Sequence, residues 1–98
     1  IAKGFADAVA DPKAGAEAVL RRNETLNLDI ETQRLTMANE MNIKTPYVVE
    51  NGMGGVDPAR LAASLEELKV SIGLKGNVTA ERVFDASYLP AKEARLLP

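Results

Sequence analysis

Neither cysteine nor histidine occurs among the 98 residues of this chain, and the two absences remove whole classes of chemistry. They exclude a thiolate nucleophile, a disulfide, a zinc site of the Cys/His type and any serine triad that relies on an imidazole base. Tryptophan is missing too, and Phe5, Tyr47, Phe84 and Tyr88 are the only aromatic residues. No apolar run approaches the ~18 to 20 residues needed to span a bilayer, and the first residues show no signal-peptide pattern. The chain opens on Ile1 rather than Met, so translation is expected to begin upstream. Twelve basic and fourteen acidic residues are interspersed to a net charge of −2. With no basic block to follow a phosphate backbone, nucleic acid is not an expected partner.

What remains is apolar but small. Apolar residues make up 46% of the chain, yet fifteen of them are alanine, and alanine buries little area. A single small domain of this length ordinarily buries roughly 60 to 65% of its unfolded surface. Here the core is expected to be thin, suited to close helix packing more than to independent stability.

The clearest local chemistry is a pair of Asp-Pro steps. Asp57 precedes Pro58, and Asp11 precedes Pro12. A carboxylate at the N-cap accepts a first-turn N–H, and proline at the next position has its φ preset and no N–H to leave unpaired. Downstream of Pro58, Leu61, Leu65, Leu68 and Ile72 form one stripe at helical spacing. Gly73 offers the left-handed residue that closes a helix, and Leu74 the partner of a Schellman cap. After Pro12, Ala16, Val19 and Leu20 share a face that ends at Arg21, Arg22 and Asn23.

Before Asp11, Phe5, Ala6 and Val9 stand at helical spacing. Asn27 is the N-cap expected for a segment in which Leu28, Ile30, Leu35, Met37, Ala38 and Met41 cover nearly half the circumference, an arc wide enough for contacts on two sides. Lys44-Thr45-Pro46 ends it, because the residue before proline is driven out of the α region, and Tyr47-Val48-Val49 then reads as an extended link. Thr79 caps one further turn through Val83 and Phe84, Tyr88-Leu89-Pro90 is an apolar knot, and residues 91–98 form a frayed turn or a docking tail. The spacing therefore predicts a mainly α structure, one helical segment over residues 1–98, with helices near 1–10, 12–22, 28–41 and 58–72 and no sheet of three or more strands. Asp11, Pro12, Asp57, Pro58 and Gly73 are its structural residues.

Catalytic and ligand-binding patterns are weak throughout. Gly52, Gly54 and Gly55 precede a helix start, a place where backbone N–H groups can cradle phosphate, but there is neither the Lys-Ser/Thr of a P-loop nor a strand leading into a GxGxxG turn. A structural turn is therefore expected here. Glu66 and Glu67 are adjacent and so point about 100° apart, which favours a solvated helix face over acid–base work. Asp29 and Glu31 lie where acidic residues complement a helix dipole. Met37, Met41 and Met53 could form a soft-ligand set, but the first two sit at core spacing with no His or Cys companion, which favours core packing over metal ligation. Two Asn-x-Thr sequons, at Asn23 and Asn77, are patterns easily met by chance. No catalytic residue, cofactor or metal site is expected, and no ligand-binding residue can be named.

In order, the chain carries Asn51-Gly52-Met53-Gly54-Gly55-Val56-Asp57-Pro58-Ala59-Arg60-Leu61, a leucine-striped helix, Gly73-Leu74-Lys75-Gly76 and Val83-Phe84-Asp85-Ala86-Ser87-Tyr88-Leu89-Pro90. This succession resembles the C-terminal end of ABC-transporter solute-binding proteins of the thiamine-pyrimidine-precursor, riboflavin, nitrate and alkylsulfonate group. Phe5, Ala6, Ala8, Asp11-Pro12, Ala16 and Ala18 resemble the paired helices that come before that end, so the similarity runs through essentially the whole chain. The family often has an aromatic residue near Gly55 or Leu61, and this chain has neither.

The resemblance implies a fragment of a two-lobe α/β periplasmic binding protein of type II, namely the C-terminal helical part that packs on lobe 1. It further implies a parent that captures a small solute by lobe closure and presents it to a membrane permease, in the periplasm or on an extracytoplasmic lipid anchor. In isolation such a fragment is expected to self-associate. The same fold family also includes a thiamine-pyrimidine synthase that consumes its own histidine, which makes an enzyme fragment a further alternative. A free-standing helical interaction module is the alternative from a different class.

Overall fold

A computed structural model describes residues 1–98. It is helical with no strand: α1 (Ala2–Ala10), α2 (Pro12–Leu20), α3 (Leu28–Ala38) running on into a π-helical turn (Asn39–Ile43), α4 (Pro46–Asn51), α5 (Pro58–Ser71), α6 (Ala80–Val83), and 3₁₀ turns at Ala86–Tyr88 and Lys92–Arg95. The contacts gather into two compact units: Ile1–Gly54 together with Pro90–Pro98, and Gly55–Leu89.

In the first unit, Asp11 ends one helix and starts the next. Its N–H donates to the Asp7 carbonyl at 3.0 Å, and its carboxylate accepts from the Ala14 N–H at 2.9 Å. Pro12 occupies the first turn of α2, and α2 stops at Leu20, two residues short of the expected Arg22. Asn27 caps α3 through Ile30 N–H at 3.1 Å. The three helices pack through small residues. Ala16 is buried, and a Cβ added at Gly15 would stand 2.7 Å from a terminal methyl of Leu35 and 3.4 Å from Ala8 Cβ.

Two local expectations fail here. Tyr47-Val48-Val49 is helical, not extended, because Thr45 caps α4: its Oγ1 accepts from Val48 N–H at 3.3 Å, its carbonyl accepts from Val49 N–H at 2.9 Å, and Pro46 sits in the first turn. Thr45-Pro46 thus ends one helix and begins another by the same device as the Asp-Pro steps. Met37 and Met41 do not pack in a core either; they are 60% and 70% exposed.

The second unit is built on α5. The Asp57 carboxylate accepts from the Ala59 N–H at 2.9 Å, and Pro58 takes the first helical position. Of the leucine stripe, Leu65 is buried while Leu68 and Ile72 are exposed. Gly73 turns the chain at φ 65. The closing bond then runs from Leu74 N–H to the Leu68 carbonyl at 3.3 Å, a ring one residue wider than a Schellman closure. Thr79 stands at the N-cap of α6 but makes no side-chain cap bond to the backbone. Beyond it, Asp85 accepts from the Ser87 N–H at 2.9 Å.

Little of either unit is closed off from water. The accessible surface is 7338 Å², whereas two separate compact bodies of these sizes would expose together only about 6,500 Å² by the usual scaling with mass. Thirteen large apolar side chains are exposed, among them Val70, Ile72 and Tyr88 at 87%, 70% and 87%.

Two measurements check these local assignments. Asp57→Ala is expected to cost about 0.5 to 2 kcal/mol of stability; a melting curve identical to that of the parent chain would contradict the cap. The Asp85 carboxyl is held below its ordinary value of 3.8 by hydrogen bonds from the Ser87 hydroxyl and backbone. Because the lowered pKa belongs to the folded state, the support it lends to the 3₁₀ turn is present above the ordinary carboxylate range and is lost as pH falls below it. A carbon-detected NMR titration is expected to place the Asp85 midpoint below 3.8.

Candidate functional site

A cleft of about 490 Å³ lies between α1 and the end of α3, lined by Ile1, Gly4, Phe5, Ala8, Leu35, Ala38, Asn39 and Ile43. Its volume falls in the range of small-molecule sites, roughly 300 to 1,000 Å³. Seven of the eight lining residues carry no polar side-chain atom, so the wall as a whole prefers apolar matter. Asn39 is the exception.

Asn39 is 3% exposed, the one buried polar side chain in the chain. Its place follows from a defect in α1. The last four carbonyls of a helix lack intrahelical donors. A continued helix would offer the Ala8 carbonyl the N–H of residue 12, but that residue is Pro12. Asn39 Nδ2 donates to this carbonyl instead, at 2.9 Å across 31 residues of sequence. Burying either group alone would cost about 1 to 3 kcal/mol, so the pair is kept together by what each would lose.

At Asn39, too, the backbone of α3 widens. The Lys44 N–H reaches back five residues to the Asn39 carbonyl at 2.8 Å, which makes Asn39–Ile43 a π turn. Such single-turn insertions occur often at functional sites. The sequence carried no signal for either feature, since an asparagine inside an apolar arc looks like a solvated position and a π turn has no residue pattern of its own.

The rest of the inventory is structural or solvated. Asp11 and Pro12 lie at the junction of α1 and α2, next to the Asn39 contact; Asp57, Pro58 and Gly73 bound α5 in the other unit. Each set serves its own unit as helix-start and helix-end residues. Glu66 pairs with Lys69 on an exposed face, and Glu31 with Arg34 at 2.9 Å within α3. Isolated surface pairs of this kind contribute little. No group of three or more acidic side chains converges into a metal-ligating arrangement. No helix is long and apolar enough to cross a membrane.

The arrangement can do one thing chemically: cover apolar surface, with a single amide holding the walls in register. Comparison with protein-family models, curated proteins and solved structures finds no match.

Removing the amide tests its role. Asn39→Ala should lower stability by about 1 to 2 kcal/mol, the cleft being open enough for water to compensate in part. Asn39→Asp should cost more at neutral pH, where a carboxylate faces a carbonyl, and should recover relative to the parent near pH 3, where the neutral carboxyl donates. Urea melts of the three chains at both pH values read the difference directly.

Proposed function

We propose that this chain is the helical packing segment of the solute-binding component of an ABC importer. Its parent captures a small polar or heteroaromatic solute of the thiamine-precursor, nitrate or sulfonate class between two lobes and hands it to a membrane permease. The order of motifs from Asn51 to Pro90 resembles that of the family, and one structural observation supports the reading: the helices leave more surface in water than compact bodies of their size do, with thirteen large apolar side chains exposed on it. Soluble monomers seldom carry contiguous apolar patches larger than a few hundred Å² without a partner. A lobe packed on the faces around Phe5, Met37 and Met41 is the partner this function supplies.

In such a parent, binding works by hinge closure around the ligand, and the permease distinguishes closed from open. No bond is made or broken. This segment contributes rigidity and a docking face, and the solute contacts lie on the lobes. An extracytoplasmic location goes with the same proposal.

The cleft between α1 and α3 favours a second possibility, a free-standing module that seats an amphipathic helix in an apolar groove. Two measurements separate them. Calorimetry on the product of the whole reading frame that contains this chain is expected to show tight binding of one of these solutes, with a fall in radius of gyration by X-ray scattering on closure. The 98-residue chain alone is expected to bind none of them and to self-associate in sedimentation. A compact monomer with a sharp thermal transition, encoded without a second lobe, would overturn the importer proposal in favour of the module.

A further inference from the structure

We infer that Arg95 is a clasp that closes the base of the Gly55–Leu89 unit, so that this excursion opens and unfolds separately from the helices of the first unit. The inference stands on contacts made wholly within the first unit and does not depend on the importer proposal. Met53 and Pro90 flank the two points at which the chain leaves the first unit and re-enters it. One guanidinium holds both: Arg95 Nη1 donates to the Met53 carbonyl at 2.8 Å and Arg95 Nε to the Pro90 carbonyl at 2.9 Å. The backbone completes the ring, with Met53 N–H donating to the Arg95 carbonyl at 2.7 Å.

The neighbouring residues are shaped for this contact. Gly52 is buried at φ 82, and a Cβ there would stand 3.1 Å from Arg95 Cβ and 3.3 Å from its carbonyl carbon and oxygen. A side chain at position 52 would therefore be strained by its backbone and crowd the clasp as well. The planar fork matters in its own right, because a guanidinium presents fixed donors along two edges where an ammonium is a single point. Once the two ends are pinned, what lies between them closes on itself. The entropic cost of pinning grows only slowly with the length of the excursion, so three hydrogen bonds at its base can hold 35 residues. Inside the excursion Leu65 is the one buried apolar side chain, as Ala16 is in the first unit, but contacts within the excursion are sparser for its size, which puts its helices at the low-stability end where local opening occurs.

Amide hydrogen exchange on the full chain tests this. In the unaltered chain, amides within α5 are expected to exchange in a faster class than those of α1 to α3. Arg95→Gln is expected to speed exchange of the Met53 amide and of residues 94–97 by tenfold or more while amides of α2 and α3 stay within about twofold. Arg95→Lys, which keeps the charge and loses the fork, is expected to behave like Arg95→Gln. Exchange of all amides as one class, fast or slow, would overturn the inference. So would a Met53 amide that Arg95→Gln leaves unchanged, or one that Arg95→Lys protects as well as the parent does.

Discussion

The bond from Asn39 to the Ala8 carbonyl is the constraint around which the first unit is arranged. It exists because Pro12, which makes a good start for α2, cannot serve the end of α1. A proline placed for one helix therefore creates an unpaired acceptor in another, and a buried amide 31 residues away meets it. The consequence is geometric. With Asn39 held against α1, the last turn of α3 lies beside Phe5 and Ala8, and the π turn from Asn39 to Ile43 lets the backbone leave that contact without giving up its own hydrogen bonds. Gly15 and Ala16 then allow α2 to approach α3, with Leu35 filling the space a larger residue would need.

Close approach of small residues is efficient in distance and poor in area. Fifteen alanines permit helices to touch, but burying alanine removes little surface from water, and hydrophobic stabilisation follows that area. The larger side chains point elsewhere: Ile30, Met37, Met41 and Val49 are each at least half exposed. The charged pairs along α1, α3 and α5 are local, and all but Glu31 among their side chains are well exposed, so they do not offset the missing core. Such a chain depends on polar fasteners, Asn39 in the middle and Arg95 at the end, to an extent that a well-filled domain does not.

Arg95 also decides what residues 91–98 are. Alanine and charge in that segment fit a frayed turn and a docking tail equally well. The carbonyls of Met53 and Pro90 settle it, because a guanidinium that satisfies two main-chain acceptors holds its own turn in place. The tail is docked, and its 3₁₀ turn Lys92–Arg95 packs against α1.

What the sequence determined by itself is the helical class and the starts of α2, α3 and α5. Asp11, Asn27 and Asp57 act on N–H groups two or three residues away, and Pro12 and Pro58 act through their own φ. Such signals are complete within one turn, so they are legible without knowing the fold. Thr45-Pro46 belongs to the same class, since a proline that ends one helix is equally fit to begin the next, and here it does both. Tertiary structure alone decided the partner of the Ala8 carbonyl, the π turn, the exposure of Met37 and Met41, and the role of Arg95. Apart from the π turn, whose defining bond spans five residues, these depend on groups 31 to 42 residues apart or on which face of a wide apolar arc finds a neighbour, and helical periodicity says where a face points but not what stands opposite it.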